Sequence, residues 1–246
     1  MKLKKHGYTL TEVLLALAIV GVIAAILVPN FATNAMKSRS AATLGRAVRQ
    51  IETGAMAIIQ NFNENTMNTA GSVSYTDSLS LVLHEHNLAN NSTNGIKDFV
   101  HSLGLVTNPN CTPTTTPPTT KPTIYKFNSQ EVYNQGDAAC YKFTKFQADA
   151  LIGQIRTTSI GNANIPIAKF YIDTNGFRKR PNQLGKDVFI FTLFDNAKMV
   201  PNGAVSNMSD DAVAASHLST CKKGEVSDGT TCAASVVADG FRITYY

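Results

Sequence analysis

Glu12 is the residue whose type and place most demand an explanation. It is the one charged side chain between Tyr8 and Met36, and directly after it Val13 to Val28 carry no polar side chain at all. A carboxylate inside a membrane helix is costly and is read as functional by default. The plainer role open to it is that of a helix-start carboxylate favoured by the macrodipole. Four cysteines, Cys111, Cys140, Cys221 and Cys232, all lie beyond the apolar run. An even count in an exported region favours two disulfides, which allows three pairings. Cys221 and Cys232 flank a short polar loop containing Asp228-Gly229, which favours that pair, with Cys111 and Cys140 as the second. The spacing lacks the close pairs that zinc requires. His84 and His86 are two residues apart, on different faces of any helix, and with His101 they read as surface histidines. No Gly-rich phosphate loop, GxSxG or HExxH is present, so no catalytic constellation is expected.

The elements that must position these residues begin with a basic stretch containing Lys2, Lys4 and Lys5. Tyr8 to Pro29 then spans roughly 33 Å as a helix, against a hydrocarbon core of ~30 Å. One crossing is predicted, with the basic N-terminus cytoplasmic and the rest outside. A cleaved signal peptide fits less well, since Ala32 to Ala35 offer a poor small-x-small site. An ordinary signal anchor leaves Glu12 without a purpose. Beyond Pro29, the apolar residues Leu44, Val48, Ile51, Ala55, Ile58 and Phe62 recur at helical spacing. A kinked helix from about Tyr8 to about Asn63 is predicted, loosened by Pro29, Gly45 and Gly54.

A short helix capped by Asp77 or Ser78 is expected to run through Leu88, and another from Ile96 to Leu103. Thr107 to Thr123 is Thr/Pro-rich and can be neither helix nor central strand, hence an exposed loop. Strand signals fall at Cys140–Phe146, Ala150–Arg156, Ile165–Asp173, Asp187–Phe194 and Phe241–Tyr246. Asp173-Thr174-Asn175-Gly176 is a turn between two of them. A helical spine followed by antiparallel strands gives an α+β fold.

Composition narrows the function classes. The chain is 43% hydrophobic and 16% charged, with a formal charge of +5 over 246 residues, which excludes a disordered chain. The three leader lysines supply much of that charge, and the rest is an ordinary solvated surface, so no nucleic-acid partner is predicted.

Gly7-Tyr8-Thr9-Leu10-Thr11-Glu12-Val13-Leu14-Leu15-Ala16-Leu17-Ala18-Ile19 resembles the class III signal of type IV pilins and type II secretion pseudopilins. Tyr8 stands where that family more often has Phe, and Thr11 where it more often has Ile or Leu. The resemblance implies cleavage by a prepilin peptidase between Gly7 and Tyr8, N-methylation of Tyr8 and retention of the apolar helix. It further implies that Glu12 sets assembly register by facing the Tyr8 amine of a neighbouring subunit, each charge removing the burial penalty of the other. The expected organisation is a leader (1–7), a membrane and assembly helix (8–30), an amphipathic helix (31–63) and a head (64–246) with the loop 107–123. In that family the long helix packs on an antiparallel sheet.

The resemblance extends loosely to Asp173-x-Asn175-Gly176, Pro181-Asn182 and Gly185-x-Asp187, a loop similar to one in large pilin-like proteins. There Asp173, Asn175 and Asp187 are candidate calcium ligands, against the plain reading as a structural turn. No other cofactor is expected. The implied partners are the prepilin peptidase, other pilin or pseudopilin subunits and inner-membrane lipid. The implied location is a single-pass inner-membrane anchor with its head periplasmic or in an extracellular filament. The function implied is that of a filament subunit, and the alternative is an anchored binding module, of adhesin or DNA-uptake type, that never polymerises.

Overall fold

The computed structural model describes residues 9–70, 78–85, 99–108, 122–136, 138–153, 166–204, 221–222, 224–226 and 228–246. Backbone contacts divide the chain into two units, Met1–Arg39 and Ser40–Tyr246. Helix α1 (Leu10–Ala70) belongs to both and contains Pro29. It continues past Asn63 because no Gly or Pro interrupts it between Gly54 and Gly71.

In the first unit α1 is apolar and exposed all round, from Leu10 at 77% to Phe31 at 78%. Its length and composition suffice to cross a membrane. In the second unit one face is buried: Ala41, Leu44, Ala47, Val48, Ile51, Ala55 and Ile59. Ile59 takes the buried position expected of Ile58, which with Phe62 packs half-buried at the margin. The stripe in the sequence takes a three-residue step from Ala55 to Ile58, whereas the buried seam takes a four-residue step from Ala55 to Ile59. Gly54 has a packing reason: a Cβ there would stand 2.6 Å from the Ser102 carbonyl oxygen of the helical turn at 99–102.

The strands are β1 (Leu105–Thr107), β2 (Ile124–Tyr125), β3 (Val132–Tyr133), β4 (Ala139–Phe143), β5 (Asp149–Ile152), β6 (Pro166–Asp173), β7 (Val188–Phe194), β8 (Met199–Pro201), β9 (Cys221–Lys222) and β10 (Glu225–Val226). Six of them form one antiparallel sheet in the order β1-β4-β5-β6-β7-β8. Alternation along the strands decides the faces. Phe170, Ile172, Phe189, Phe191 and Leu193 join the core that α1 covers. Leu151, Tyr171, Val188 and Ile190 point the other way and bury a second core with Ile124, Phe177 and Leu184. The fold is therefore the expected α+β arrangement, a long N-terminal helix followed by an antiparallel sheet.

Three local expectations need correction or completion. Phe241–Tyr246 forms no strand. It follows a helix unanticipated by sequence periodicity, α3 (Cys232–Ala238), which ends with Gly240 and Phe241 at positive φ. The Gly240 N–H donates to Val237 O and the Phe241 N–H to Val236 O, the double bond pattern that turns the chain sharply away. The last two residues then use their hydroxyls instead: Tyr245 donates to Gly185 O at 2.5 Å and Tyr246 to Lys186 O at 3.4 Å. Helix α2 (Leu79–Glu85) starts after Ser78, but its N-terminus is held from elsewhere. Asp195, at the end of β7, accepts from the Ser80 N–H, the Ser78 hydroxyl and, through its carbonyl, the Leu79 N–H. Asp77, His86 and most of the Thr/Pro-rich segment (109–121) lie outside the described residues, while His101 is exposed, as expected.

Candidate functional site

The start of α1 is built by four consecutive residues. Thr9 precedes the first helical residue, and its hydroxyl accepts the Glu12 N–H at 3.3 Å. The Glu12 side chain reaches back: its Oε2 accepts the Thr9 N–H at 2.8 Å and the Thr9 hydroxyl at 2.8 Å. This is a reciprocal capping box, in which N-terminal donors with no intrahelical partner are satisfied locally. Sequence reasoning weighed the macrodipole at Glu12 but overlooked this bond pattern. The spacing Thr9-Leu10-Thr11-Glu12 carries the signal, since a Ser or Thr followed three residues later by Glu is its signature. Both bonds fall on Oε2, and Oε1 has no hydrogen-bond partner among the described residues. The carboxylate is thus oriented by its own chain and presents one oxygen outward. Gly7 and Tyr8 lie outside the described residues.

The second constellation lies where β5, β6 and β7 share one end of the sheet. Asp149 stands directly opposite Asp173 in the β5–β6 register, and Asp187 immediately precedes β7. Like charges placed so repel, and they persist here because each carboxylate holds backbone donors of the 174–187 loop. Asp173 Oδ1 accepts the N–H groups of Asn175 and Gly176 at 2.9 and 2.8 Å. Asp187 Oδ1 accepts the Gln183 N–H at 2.7 Å, and its Oδ2 accepts the Asn182 N–H at 2.9 Å and Asn175 Nδ2 at 3.1 Å. Asp149 Oδ2 accepts the Phe177 N–H at 3.0 Å. The loop is tied to α1 through Ser40, whose hydroxyl meets that of Thr174. Gly176 adopts φ +87°, a conformation that glycine permits and other residues resist.

Burial, reinforced by the Asp187 charge, pushes the Asp173 carboxyl well above the ordinary range, against the pull of its two N–H donors. Burial also raises Asp187 and Asp149, again opposed by their hydrogen bonds. The structure therefore brings Asp173, Asn175 and Asp187 together, as the sequence implied, and adds Asp149 and Asn182. Asp149 lies on a different strand, and no local pattern in the sequence links it to the others.

Calcium takes six to eight oxygens. Of the two carboxylates named as its ligands, three of the four oxygens already accept N–H groups. Asp173 Oδ2, Asn175 Oδ1 and Asn182 Oδ1 remain without hydrogen-bond partners. Among the described residues no group of three or more His, Cys, Asp or Glu is placed to hold a metal ion. The carboxylates clasp the loop, and the three orphaned buried oxygens are acceptors of the kind that a hard cation takes.

Cys221 and Cys232 are disulfide-bonded, with Cα atoms 5.1 Å apart, within the usual span for such a bridge. The bond staples β9 to the first residue of α3. Cys140 is disulfide-bonded as well, and Cys111 lies outside the described residues.

Comparison with protein families places the prokaryotic N-terminal methylation motif on residues 2–28, the class III signal of type IV pilins and pseudopilins. The match contains Gly7, Tyr8 and Glu12 and stops at Val28, ahead of the head. No curated protein and no solved structure matches the chain.

Proposed function

We propose, from the class III signal in residues 2–28, that this chain is a structural subunit of a type IV pilus or a type II secretion pseudopilus. On this reading the apolar half of α1 holds the subunit in the inner membrane, N-terminus inward, until it is drawn into a filament. A prepilin peptidase cuts after Gly7 and methylates the Tyr8 amine. The chemistry is assembly, with no turnover, and the partners are other pilin-like subunits.

One observation supports the assembly role above the others: the Glu12 carboxylate is held by Thr9 through Oε2 alone. Its Oε1 is left for a cation, and in a bundle of identical helices the nearest cation is the Tyr8 amine of a neighbour. Pairing the two removes the burial penalty of both charges, and register follows because a slipped helix leaves each unpaired.

Glu12→Ala tests this. Membrane insertion and Gly7 cleavage should be unchanged, since a costly intramembrane charge is gone and the peptidase reads chiefly the glycine. Entry into filaments should fall on the order of a hundredfold or more, because the neighbouring amine would be buried without its counter-charge. Immunoblots of sheared filaments and membrane fractions separate the outcomes. Equal incorporation of variant and wild type refutes the register role. A chain that never appears in filaments at all favours the anchored binding module.

A further inference from the structure

We propose that Asp173 Oδ2, Asn175 Oδ1 and Asn182 Oδ1 hold a calcium ion in the head, with Asp187 anchoring the two asparagines and not itself a ligand. The site lies in the head alone and does not depend on how the chain assembles. The three oxygens are buried and have no hydrogen-bond partner. Asp173 is fully buried and Asn182 is 8% exposed, so neither can turn to bulk water. The hydrogen bonds of the loop bring them to one place. Asp173 Oδ1 holds the Asn175 N–H at 2.9 Å. Asp187 Oδ2 accepts both Asn175 Nδ2, at 3.1 Å, and the Asn182 N–H, at 2.9 Å. The two asparagines therefore hang from one oxygen, and Asp173 is bound to the first of them. Gln183 Oε1 is also unpartnered, but its amide donates to Ser129 O at 3.2 Å, so it is turned toward the β2–β3 connection and stands outside the group.

What these atoms lack is a positive charge. Each asparagine nitrogen is committed, Asn175 Nδ2 to Asp187 and Asn182 Nδ2 to the Phe177 carbonyl at 2.9 Å. Rotating either amide to present a donor would break that bond and set its oxygen against another oxygen. All three unpartnered atoms are thus acceptors. One water donates two hydrogens and cannot serve three acceptors, and it leaves a buried carboxylate charge uncompensated. A hard cation does both at once. Asp187 is already spent, since its Oδ1 holds the Gln183 N–H at 2.7 Å and its Oδ2 holds the two bonds above. Its part is to fix the direction in which the two amides present their oxygens.

Calcium suits the site better than magnesium. It accepts irregular geometry, and water can complete its six to eight oxygens, whereas magnesium demands a near-ideal octahedron. Asn175 is half-buried, which gives the ion and its waters a way in. One carboxylate and two amides make a weak shell, with a dissociation constant on the order of 0.1–1 mM. The ion ties the end of β6 to residues 175 and 182, the two arms of the β6–β7 loop. Asn182 sits at φ +50°, a conformation that asparagine tolerates better than most residues.

The test uses the full chain in detergent, stripped with a chelator, with calcium chloride as the probe. At about tenfold excess over the dissociation constant, calcium shifts the folding equilibrium roughly elevenfold toward the native state. That is a rise of roughly 3–6 °C in the unfolding midpoint. Magnesium at the same concentration should give a clearly smaller rise. Terbium should bind in place of calcium and emit when tyrosine is excited, since Tyr171 lies two residues from Asp173 on β6. Excess calcium should abolish that emission. Asp173→Asn replaces the unpartnered oxygen by an amide nitrogen that can donate to the other two. It should unfold at or above the wild-type midpoint without calcium and lose the calcium response. Asn182→Gly keeps the left-handed backbone and removes one ligand oxygen, so it should bind calcium at least about tenfold more weakly. It carries the same test should Asp173→Asn fold poorly. A wild-type midpoint indifferent to calcium, or equal rises with calcium and magnesium, overturns the proposal. So does terbium emission that persists in excess calcium, or a wild-type calcium response in either variant.

Discussion

Asp187 holds two stretches of the β6–β7 loop at once, so Asp187→Ala should loosen the whole connection. The substitution removes three acceptor contacts, with the Gln183 N–H, the Asn182 N–H and Asn175 Nδ2. Hydrogen bonds to an ionised group contribute about 1.5–3 kcal/mol each, and donors left unpaired away from water cost a similar amount. Against this stands relief of a carboxylate that is itself buried, at 4% exposure, and close enough to Asp173 to raise it. The opposing terms leave a net loss of about 3 kcal/mol. For a head of this size that is a fall of roughly 6–12 °C in the unfolding midpoint. Eight tyrosines and no tryptophan make tyrosine emission of the detergent-solubilised chain a direct reporter.

Asp187→Asn keeps one acceptor oxygen and should cost only about 1 kcal/mol. It also changes the pH response. Unfolded carboxylates ionise near 4. Burial raises Asp173 and Asp187 in the folded head, so above that pH the native state binds more protons than the unfolded chain. Their contribution to stability is therefore fully present below the unfolded pKa and is lost as pH rises through the raised folded values. Wild type should lose more stability than Asp187→Asn as pH rises above the unfolded carboxylate value of about 4. An Asp187→Ala midpoint within about 3 °C of wild type would refute the clasp. A wild-type slope no steeper than that of Asp187→Asn would refute the coupling between the two carboxyls.

Two further outcomes are expected. Intact-mass analysis of native protein should find a chain beginning at an N-methylated Tyr8, and one that retains Met1 or begins near Ala35 contradicts the class III signal. Replacing Cys221 and Cys232 together by Ala opens a bridge between residues 11 apart in sequence, which should cost about 3 kcal/mol in the chain-entropy account. Non-reducing peptide maps should recover the Cys221–Cys232 pair, and free thiols or crossed pairs there contradict the structure.

The parts of this protein legible in its sequence are those that depend on local periodicity and on neighbours close along the chain. An apolar run with Glu12 at its start marks a helix long and apolar enough to cross a membrane, and Leu44, Val48 and Ile51 mark the buried face of its continuation. The alternation of Phe189, Phe191 and Leu193 with Ile190 places β7 between two cores, because each side chain of a strand must point opposite to the next. The capping box was equally legible, since Thr9 and Glu12 are three residues apart. Tertiary structure decided what depends on distant residues meeting. Asp195 caps a helix that begins 116 residues before it, Glu52 accepts the N–H of Met199 on an edge strand, and Asp149 faces Asp173 across two strands. The C-terminal residues have strand-like composition, yet two left-handed residues after α3 and the hydrogen bonds of Tyr245 and Tyr246 hold them away from any sheet. Backbone donors and buried carboxylates must find partners wherever the chain brings them. Which partners are within reach is set by the packing of helix on sheet, and no window of neighbouring residues contains that information.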